Sequence, residues 1–276
     1  MKLFIFNTRK NAIAFVILIV VSFLISSCEK VININLNAKA PQIIIEGIIT
    51  DQPEPYTVSL TQTVNFDESN NFPPVSGATV IISDNSGYSE ILTETTPGIY
   101  TTSAIQGTAG KIYTLKVTAN GKEYTGVATM PPPVNIDTLT ITSVNTPKGS
   151  NKTIYVNFTD PTGINNYYRF IKIINGTAQS SIFITDDLLK DGNIINQPLL
   201  SRGQDEVKIK SGDMVSVVCQ TIDKNVYNYF RSLLQLSTGG MINQSSSPAN
   251  PLSNFNNGAL GYFNACAVTS KTIVIP

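Results

Sequence analysis

The stretch IYTLKVTANGKEYTGVATM, residues 112–130, decides how this chain is read. Ile112–Ala119 and Lys122–Met130 flank Asn120-Gly121. Asn-Gly between two strand-like runs is the strongest short-range signal for a hairpin, because a type I′ turn needs positive φ at both central residues. The same grammar continues upstream. Gln42–Thr50 is almost continuously apolar, as in a strand buried on both faces. Tyr56, Val58, Leu60 and Val64 share one face of the next run, and Thr57, Ser59, Thr61 and Thr63 share the other. Ala78–Ser83 is a further strand. No helical period intrudes between residues 31 and 130. Short strands with turn punctuation at this spacing predict a β-sandwich, Ig-like or transthyretin-like.

Pro131-Pro132-Pro133 then interrupts the pattern, since three prolines cannot sit in a central strand. They are read as a linker between a first sandwich, residues 41–130, and a second β-rich domain, residues 134–276. Strands are expected at 136–144, 153–159, 167–175, 181–185, 207–210, 214–222 and 259–268. One amphipathic helix is expected over 223–237. Asp223 is its N-cap, Val226, Tyr229, Phe230, Leu233 and Leu236 form its apolar stripe, and Gly239-Gly240 stops it. From Ser237 to Gly258 the chain is rich in Ser, Asn, Gly and Pro and has no period. The expected fold is therefore all-β, with two sandwiches and one helix in the second.

Composition removes whole classes of chemistry. The chain has no His and no Trp, which excludes a His-based triad, a Cys-His pair and a His-ligated zinc. Lys and Arg number 19 and so do Asp and Glu, leaving no basic surplus with which to neutralise phosphates. Nucleic acid is accordingly not an expected partner. There is no G-x-S-x-G motif, and the only S-x-x-K runs from Ser27 to Lys30. Paired-carboxylate hydrolysis stays open, because carboxylate separation is a three-dimensional quantity. Asp186-Asp187 with Asp191-Gly192-Asn193 carries oxygen ligands but lacks EF-hand spacing, so it is read as a solvated acidic loop. No metal and no cofactor are expected.

The N-terminus carries an address. Lys2, Arg9 and Lys10 precede an apolar run, Ala12–Ile25, that is short for a membrane span. It fits a secretory signal, and Leu24-Ile25-Ser26-Ser27-Cys28 resembles the lipobox of bacterial lipoproteins. That resemblance implies cleavage after residue 27, acyl chains on Cys28 as the lipid-attachment residue, and a tether over 28–40. The two remaining cysteines, Cys219 and Cys266, both lie in expected strands. Export permits a disulfide between them, and two buried thiols are the alternative.

Several short motifs in this order carry a wider resemblance. They are the lipobox, Ile43–Asp51, Pro73-Pro74-Val75-Ser76-Gly77-Ala78-Thr79-Val80, Gly98-Ile99-Tyr100, Tyr113-Thr114-Leu115, Ile222-Asp223 and Gly258–Phe263. Together they resemble a Bacteroidota outer-membrane lipoprotein family known as domain of unknown function 4249, over the whole mature chain. The resemblance implies anchoring in the outer membrane bilayer and partnership with a TonB-dependent receptor. It supplies no catalytic residues. Residues 73 to about 130 also resemble non-catalytic carboxypeptidase-regulatory-like sandwiches. Asp137-Thr138-Leu139 resembles the O-glycosylation acceptor of exported Bacteroidota proteins, with Thr138 as the acceptor.

The expected function is thus a non-catalytic outer-membrane lipoprotein that binds a ligand or protein partner. An envelope hydrolase and a purely structural envelope subunit are the alternatives, and which face of the membrane it occupies is left open. Loops on a rigid sandwich are the natural binding elements. The candidates are 65–73, 186–204 and 237–258, with Asn254, Phe255 and Asn256 as contacts in the last. Tyr167 and Tyr168 point to opposite faces of one strand, and Tyr168 is the aromatic taken as a ligand contact.

Overall fold

The computed structural model describes residues 40–53, 55–65, 68–69, 71–146, 149–200, 207–237 and 250–276. The expected signal peptide and tether, with Cys28, and residues 238–249 of the long polar segment lie outside them. The described chain is all-β with one helix. The first strands are β1 (Ile43–Thr50), β2 (Thr57–Gln62), β3 (Thr79–Asp84), β4 (Ser89–Ile91), β5 (Thr93–Thr96), β6 (Ile99–Thr101), β7 (Ile112–Ala119) and β8 (Lys122–Thr129). They are followed by β9 (Thr138–Thr146), β10 (Gly149–Thr159), β11 (Tyr167–Ile174), β12 (Thr177–Ala178), β13 (Phe183–Asp186), β14 (Ile194–Pro198) and β15 (Met214–Ile222). The helix α1 (Lys224–Ser237) and the long strand β16 (Leu260–Val274) complete the order.

The β7–β8 hairpin turns through Asn120 and Gly121, with φ of 51° and 73°, and pairs Ala119 with Lys122. Asn175 and Gly176 make the same kind of turn between β11 and β12, at 49° and 82°. In each pair, positive φ at both positions matches the right-handed twist of the flanking strands.

Two apolar cores follow from the alternation. Ile45, Ile49, Val58, Leu60 and Tyr100 face Val80, Ile82, Tyr113, Leu115 and Val117 across the first sandwich. Tyr168, Phe170, Val215, Val217 and Cys219 face Ile154, Val156, Phe158 and Ile195 across the second. Each such aliphatic or aromatic side chain contributes roughly 1.5–3 kcal/mol when buried. The changeover lies at the prolines: Met130 belongs to the first core and Val134 to the second.

The two sandwiches are not separate bodies, and here the structure corrects the expected domain boundaries. One nine-stranded sheet runs β12-β11-β15-β16-β1-β2-β6-β5, with β13 also paired to β11. Its centre is β16. Residues 260–266 pair parallel with β1, and residues 267–274 pair antiparallel with β15. The odd-numbered face of β16 therefore serves both cores: Phe263, Ala265 and Ala267 fill the first, while Ile273 and Ile275 pack on the second. Smaller sheets, β4-β3-β7-β8 and β14-β10-β9, close the two sandwiches. The last strand was expected to belong wholly to the second domain. It crosses over because its first half supplies Phe263, Ala265 and Ala267 to the first core and Gly261 lets it close on β1. A Cβ at Gly261, where φ is 89°, would stand 2.1 Å from the Ile45 carbonyl oxygen.

The outer face of the shared sheet is covered in part by α1. Asp223 caps the helix by accepting a hydrogen bond from the Val226 amide at 2.9 Å, and its other oxygen accepts from Thr129 at the end of β8. Val226, Tyr227, Tyr229 and Phe230 are the buried face of the helix, against Ile222 and Cys266. Strands at 89–101 and 194–198 were not expected from sequence, and residues 207–210 are irregular rather than extended into a strand.

Candidate functional site

The first candidate lies where two loops of the second sandwich meet. At the end of β10, Asp160 is followed by Pro161, which cannot continue a ladder, and by Gly163 at φ 86°. At the end of β13, residues 187–193 turn tightly before β14. The loops are tied through the backbone: Asp187 N–H donates to the Asn166 carbonyl and Asp160 N–H to the Asn193 carbonyl. They are also tied through carboxylates. Asp160 accepts from the Tyr168 hydroxyl, from Asn166 Nδ2 at 3.3 Å and from Gly192 N at 3.2 Å. Asp187 accepts from the Asn166 amide at 2.9 Å, and Asp191 accepts from Gly163 N at 2.7 Å.

Asp160, Asp187 and Asp191 thus bring one carboxylate oxygen each within 4.8 Å of one another, the first two buried. They are the residues best placed to hold a cation among those described. The neutral donors that already serve them give the same cluster a structural role, as the clamp between two loops. Burial, then the bond to Asp160, raises the Tyr168 hydroxyl far above its ordinary pKa, so it remains a donor.

What the clamp presents is apolar. Leu188 is 71% and Leu189 96% exposed, at the tip of the 187–193 turn. Leu189 stands at φ 65°, a conformation that a branched residue adopts only where the surrounding structure imposes it. The carbonyl of Asp187 and the carboxylate of Asp186 impose it here, accepting from the amides of Lys190 and Leu188. Ile164, on the adjoining loop, and Ile194, at the start of β14, are exposed as well.

The residues singled out from sequence fall elsewhere. Tyr168 is fully buried, with its ring 4.7 Å from that of Phe158, which removes it as a ligand contact; Tyr167 is the half-exposed partner. Asn254, Phe255 and Asn256 clip the last segment onto the edge of β8. Asn254 holds Phe263 by two hydrogen bonds of 2.7 and 2.9 Å, and Asn256 exchanges bonds of 2.8 and 3.0 Å with Thr125. Phe255 is buried over Gly126, and their polar and apolar groups are thus committed to the fold. Thr138 is exposed at the start of β9, the edge strand of its sheet. Cys28 lies outside the described residues.

The disulfide alternative is corrected. Cys219 and Cys266 are both free thiols. Cys219 sits opposite Thr269, three residues beyond Cys266 on β16, so the two side chains leave opposite faces of the sheet. One enters the second core and the other faces α1. Burial pushes each thiol up to about 12.

Sequence reading found the 186–193 loop but missed Asp160 and Asn166, which lie upstream of β11, β12 and β13 and meet it only in three dimensions. The adjacent Leu188 and Leu189 inside a polar turn were the signal that was available.

A search of the curated proteins finds no match. Among solved structures, a two-domain fibronectin type-III segment of chicken tenascin is similar at 14% identity, covering 67% of this chain and 92% of that one. Its TM-score is 0.21, which adds nothing to the fold described above. The family comparison reaches further: residues 29–272 match the domain of unknown function DUF4249, and the chain belongs to that family.

Proposed function

We propose that the chain is a lipid-anchored binding protein of the outer membrane, accessory to a TonB-dependent receptor, that acts without covalent chemistry. The lipobox ending at Cys28 supports the anchor. The Leu188–Leu189 turn is the observation that carries the binding role. Two adjacent leucines are held in water by a buried polar network, and exposed apolar side chains on a rigid support are a usual mark of an interaction surface. The absence of His and the buried state of both remaining thiols leave few routes to a nucleophile, which favours binding over catalysis. The rival hydrolase reading would rest on the buried pair Asp160 and Asp187. The amide and hydroxyl donors that engage them favour the role of loop clamp.

The test uses the full chain in its own envelope. Leu188→Ser with Leu189→Ser should keep the fold and the membrane location while cross-linked recovery of a TonB-dependent receptor drops at least about tenfold. Equal recovery by this variant and the unaltered chain would remove the turn from the account.

A further inference from the structure

The sheet edges of this chain are treated unequally. A strand at a sheet edge carries a row of unpaired N–H and C=O groups, and folds blunt it by shortness, charge, proline, a bulge or a cover. Here β4, β5, β12 and β13 run to only 3, 4, 2 and 4 residues. β5 also carries Glu94 and breaks register with β6 just beyond it. β14 is 5 residues long and ends in Pro198, and β8 is covered by Phe255 and Asn256. β9 has none of these devices. It is a 9-residue strand, Thr-Leu-Thr-Ile-Thr-Ser-Val-Asn-Thr, with no charge and no proline. Its register with β10 is unbroken from Thr138 opposite Asn157 to Thr146 opposite Gly149, and it ends its sheet.

The open groups on β9 can be named. The Leu199 amide donates to the Ile154 carbonyl, so Ile154 turns its backbone polar groups toward β14. These groups alternate sides along a strand, so those of Thr153 and Tyr155 turn toward β9, where they meet Thr142 and Thr140. The N–H and C=O groups of Leu139, Ile141 and Ser143 therefore point away from the sheet. No hydrogen bond to them occurs among the described residues. The side chains divide by the same alternation. Leu139 is buried and Ile141 half-buried against the second core, while Thr138, Thr140 and Thr142 are exposed.

We infer that β9 pairs antiparallel with β9 of a second copy of this chain, about a two-fold axis through Ile141, to make one continuous sheet β14-β10-β9-β9-β10-β14. The strand is complementary to itself in this register. Leu139 faces Ser143 of the second copy, and Ile141 faces Ile141. Every open group named above gains a partner, because each such pair exchanges both of its bonds. The axis stands perpendicular to the sheet and keeps the faces in line, so the two half-buried Ile141 side chains cover each other on the core side. On the outer side Thr140 comes opposite Thr142, a favourable cross-strand pair. The self-matching register and the lack of charge favour a second copy over a foreign strand, since the symmetric partner sets no like charges across the seam. A closed two-fold contact also uses up the edge in both copies and leaves no strand open to propagate. With the proposed acyl anchor holding both copies in one membrane, effective concentration is high and a small seam suffices.

The experiment reads register as well as mass. Full-length chains carrying Thr140→Cys and others carrying Thr142→Cys, expressed together in their own envelope, should bridge on mild oxidation, because a close cross-strand pair lies within disulfide reach. Either variant alone sets its cysteines on a diagonal and should bridge at least about fivefold less. Both threonines are exposed, so the fold tolerates the changes, and the buried Cys219 and Cys266 do not compete. The detergent-solubilised full chain should sediment as a dimer. Thr140→Lys with Thr142→Lys places like charges across the seam and should weaken association about tenfold or more. Mixing that variant with one carrying Thr140→Glu and Thr142→Glu should restore the dimer. Equal bridging in single and mixed samples, a chain that stays monomeric up to about 1 mM, or self-association untouched by the lysines would each overturn the assignment. A monomer whose lysine variant loses receptor recovery would give the edge to the receptor and overturn it as well. Leu188→Ser with Leu189→Ser should leave the bridging unaltered, which keeps this seam distinguishable from the leucine turn.

Discussion

The ring of Phe255 occupies the space that a side chain at residue 126 would need: a Cβ on Gly126 would fall 2.5 Å from Phe255 Cε1. Gly126 lies in the middle of β8, where a glycine weakens a strand unless something must approach its backbone. Phe255 is what approaches, and the two residues also form an isolated bridge. The final segment thereby covers an edge that would otherwise be open for pairing. Phe255→Ala should cost about 3 kcal/mol of stability, as for a large core truncation. Gly126→Val should be at least as damaging. Urea unfolding of both variants checks this, and a loss below about 1 kcal/mol for Phe255→Ala would contradict the account.

Asp223 provides a prediction with a sign. Its carboxylate caps α1 and holds Thr129, yet burial raises its pKa from the ordinary value and outweighs the backbone bonds from Val226 and Thr129 that lower it. A raised folded pKa means that the group's contribution is complete below about 3.9 and is lost as pH rises through the folded value. Asp223→Asn keeps an acceptor for the cap and carries no charge. Relative to the unaltered chain, the variant should gain stability between pH 3 and pH 7. Asp223→Ala should lose about 1–2 kcal/mol through the missing cap. Urea titrations at several pH values decide; a relative stability of Asp223→Asn that falls with pH would reverse the sign and reject the explanation.

The thiols should be silent in the native state. With Cys28 replaced by Ser, Cys219 and Cys266 should resist a maleimide for as long as the chain stays folded and should react together on unfolding. Their burial and raised pKa values leave almost no thiolate at neutral pH. Addition of an oxidant should not shift the melting temperature. A bridged species on a non-reducing gel of the native monomer would contradict the opposite-face placement.

The shared sheet makes the two sandwiches depend on each other. A fragment spanning residues 40–133 lacks the part of β16 that fills its core with Phe263, Ala265 and Ala267. That fragment should not fold alone. The full chain should unfold in one transition by both heat and urea. Two separated transitions would restore the picture of independent domains.

How much of this was legible in the sequence depended on the range of the interaction. The Asn120-Gly121 turn, the Asp223 cap and the helix stripe of Val226, Tyr229 and Phe230 are local, and residue order and spacing alone place them. The crossing of β16 was not legible, since an apolar strand carries no label for which core it fills. Asn254 and Asn256 looked like free polar contacts because the Phe263 and Thr125 backbones that claim them are distant or unremarkable in sequence. Tyr168 was misassigned because alternation says that neighbouring tyrosines diverge but not which one turns inward. Asp160 and Asn166 had no local pattern at all; each acquires meaning only from what packs beside it.

The place of β16 in chain order has a consequence for biogenesis. The strand at the centre of the sheet is the last of the described strands in chain order. A chain exported N-terminus first would therefore reach the far side with its first sandwich incomplete. In that case the first core would lack Phe263, Ala265 and Ala267 while the leading residues emerge. The same order would then defer completion of the sheet until β16 arrives and leave the β1 edge that it pairs with open for that interval.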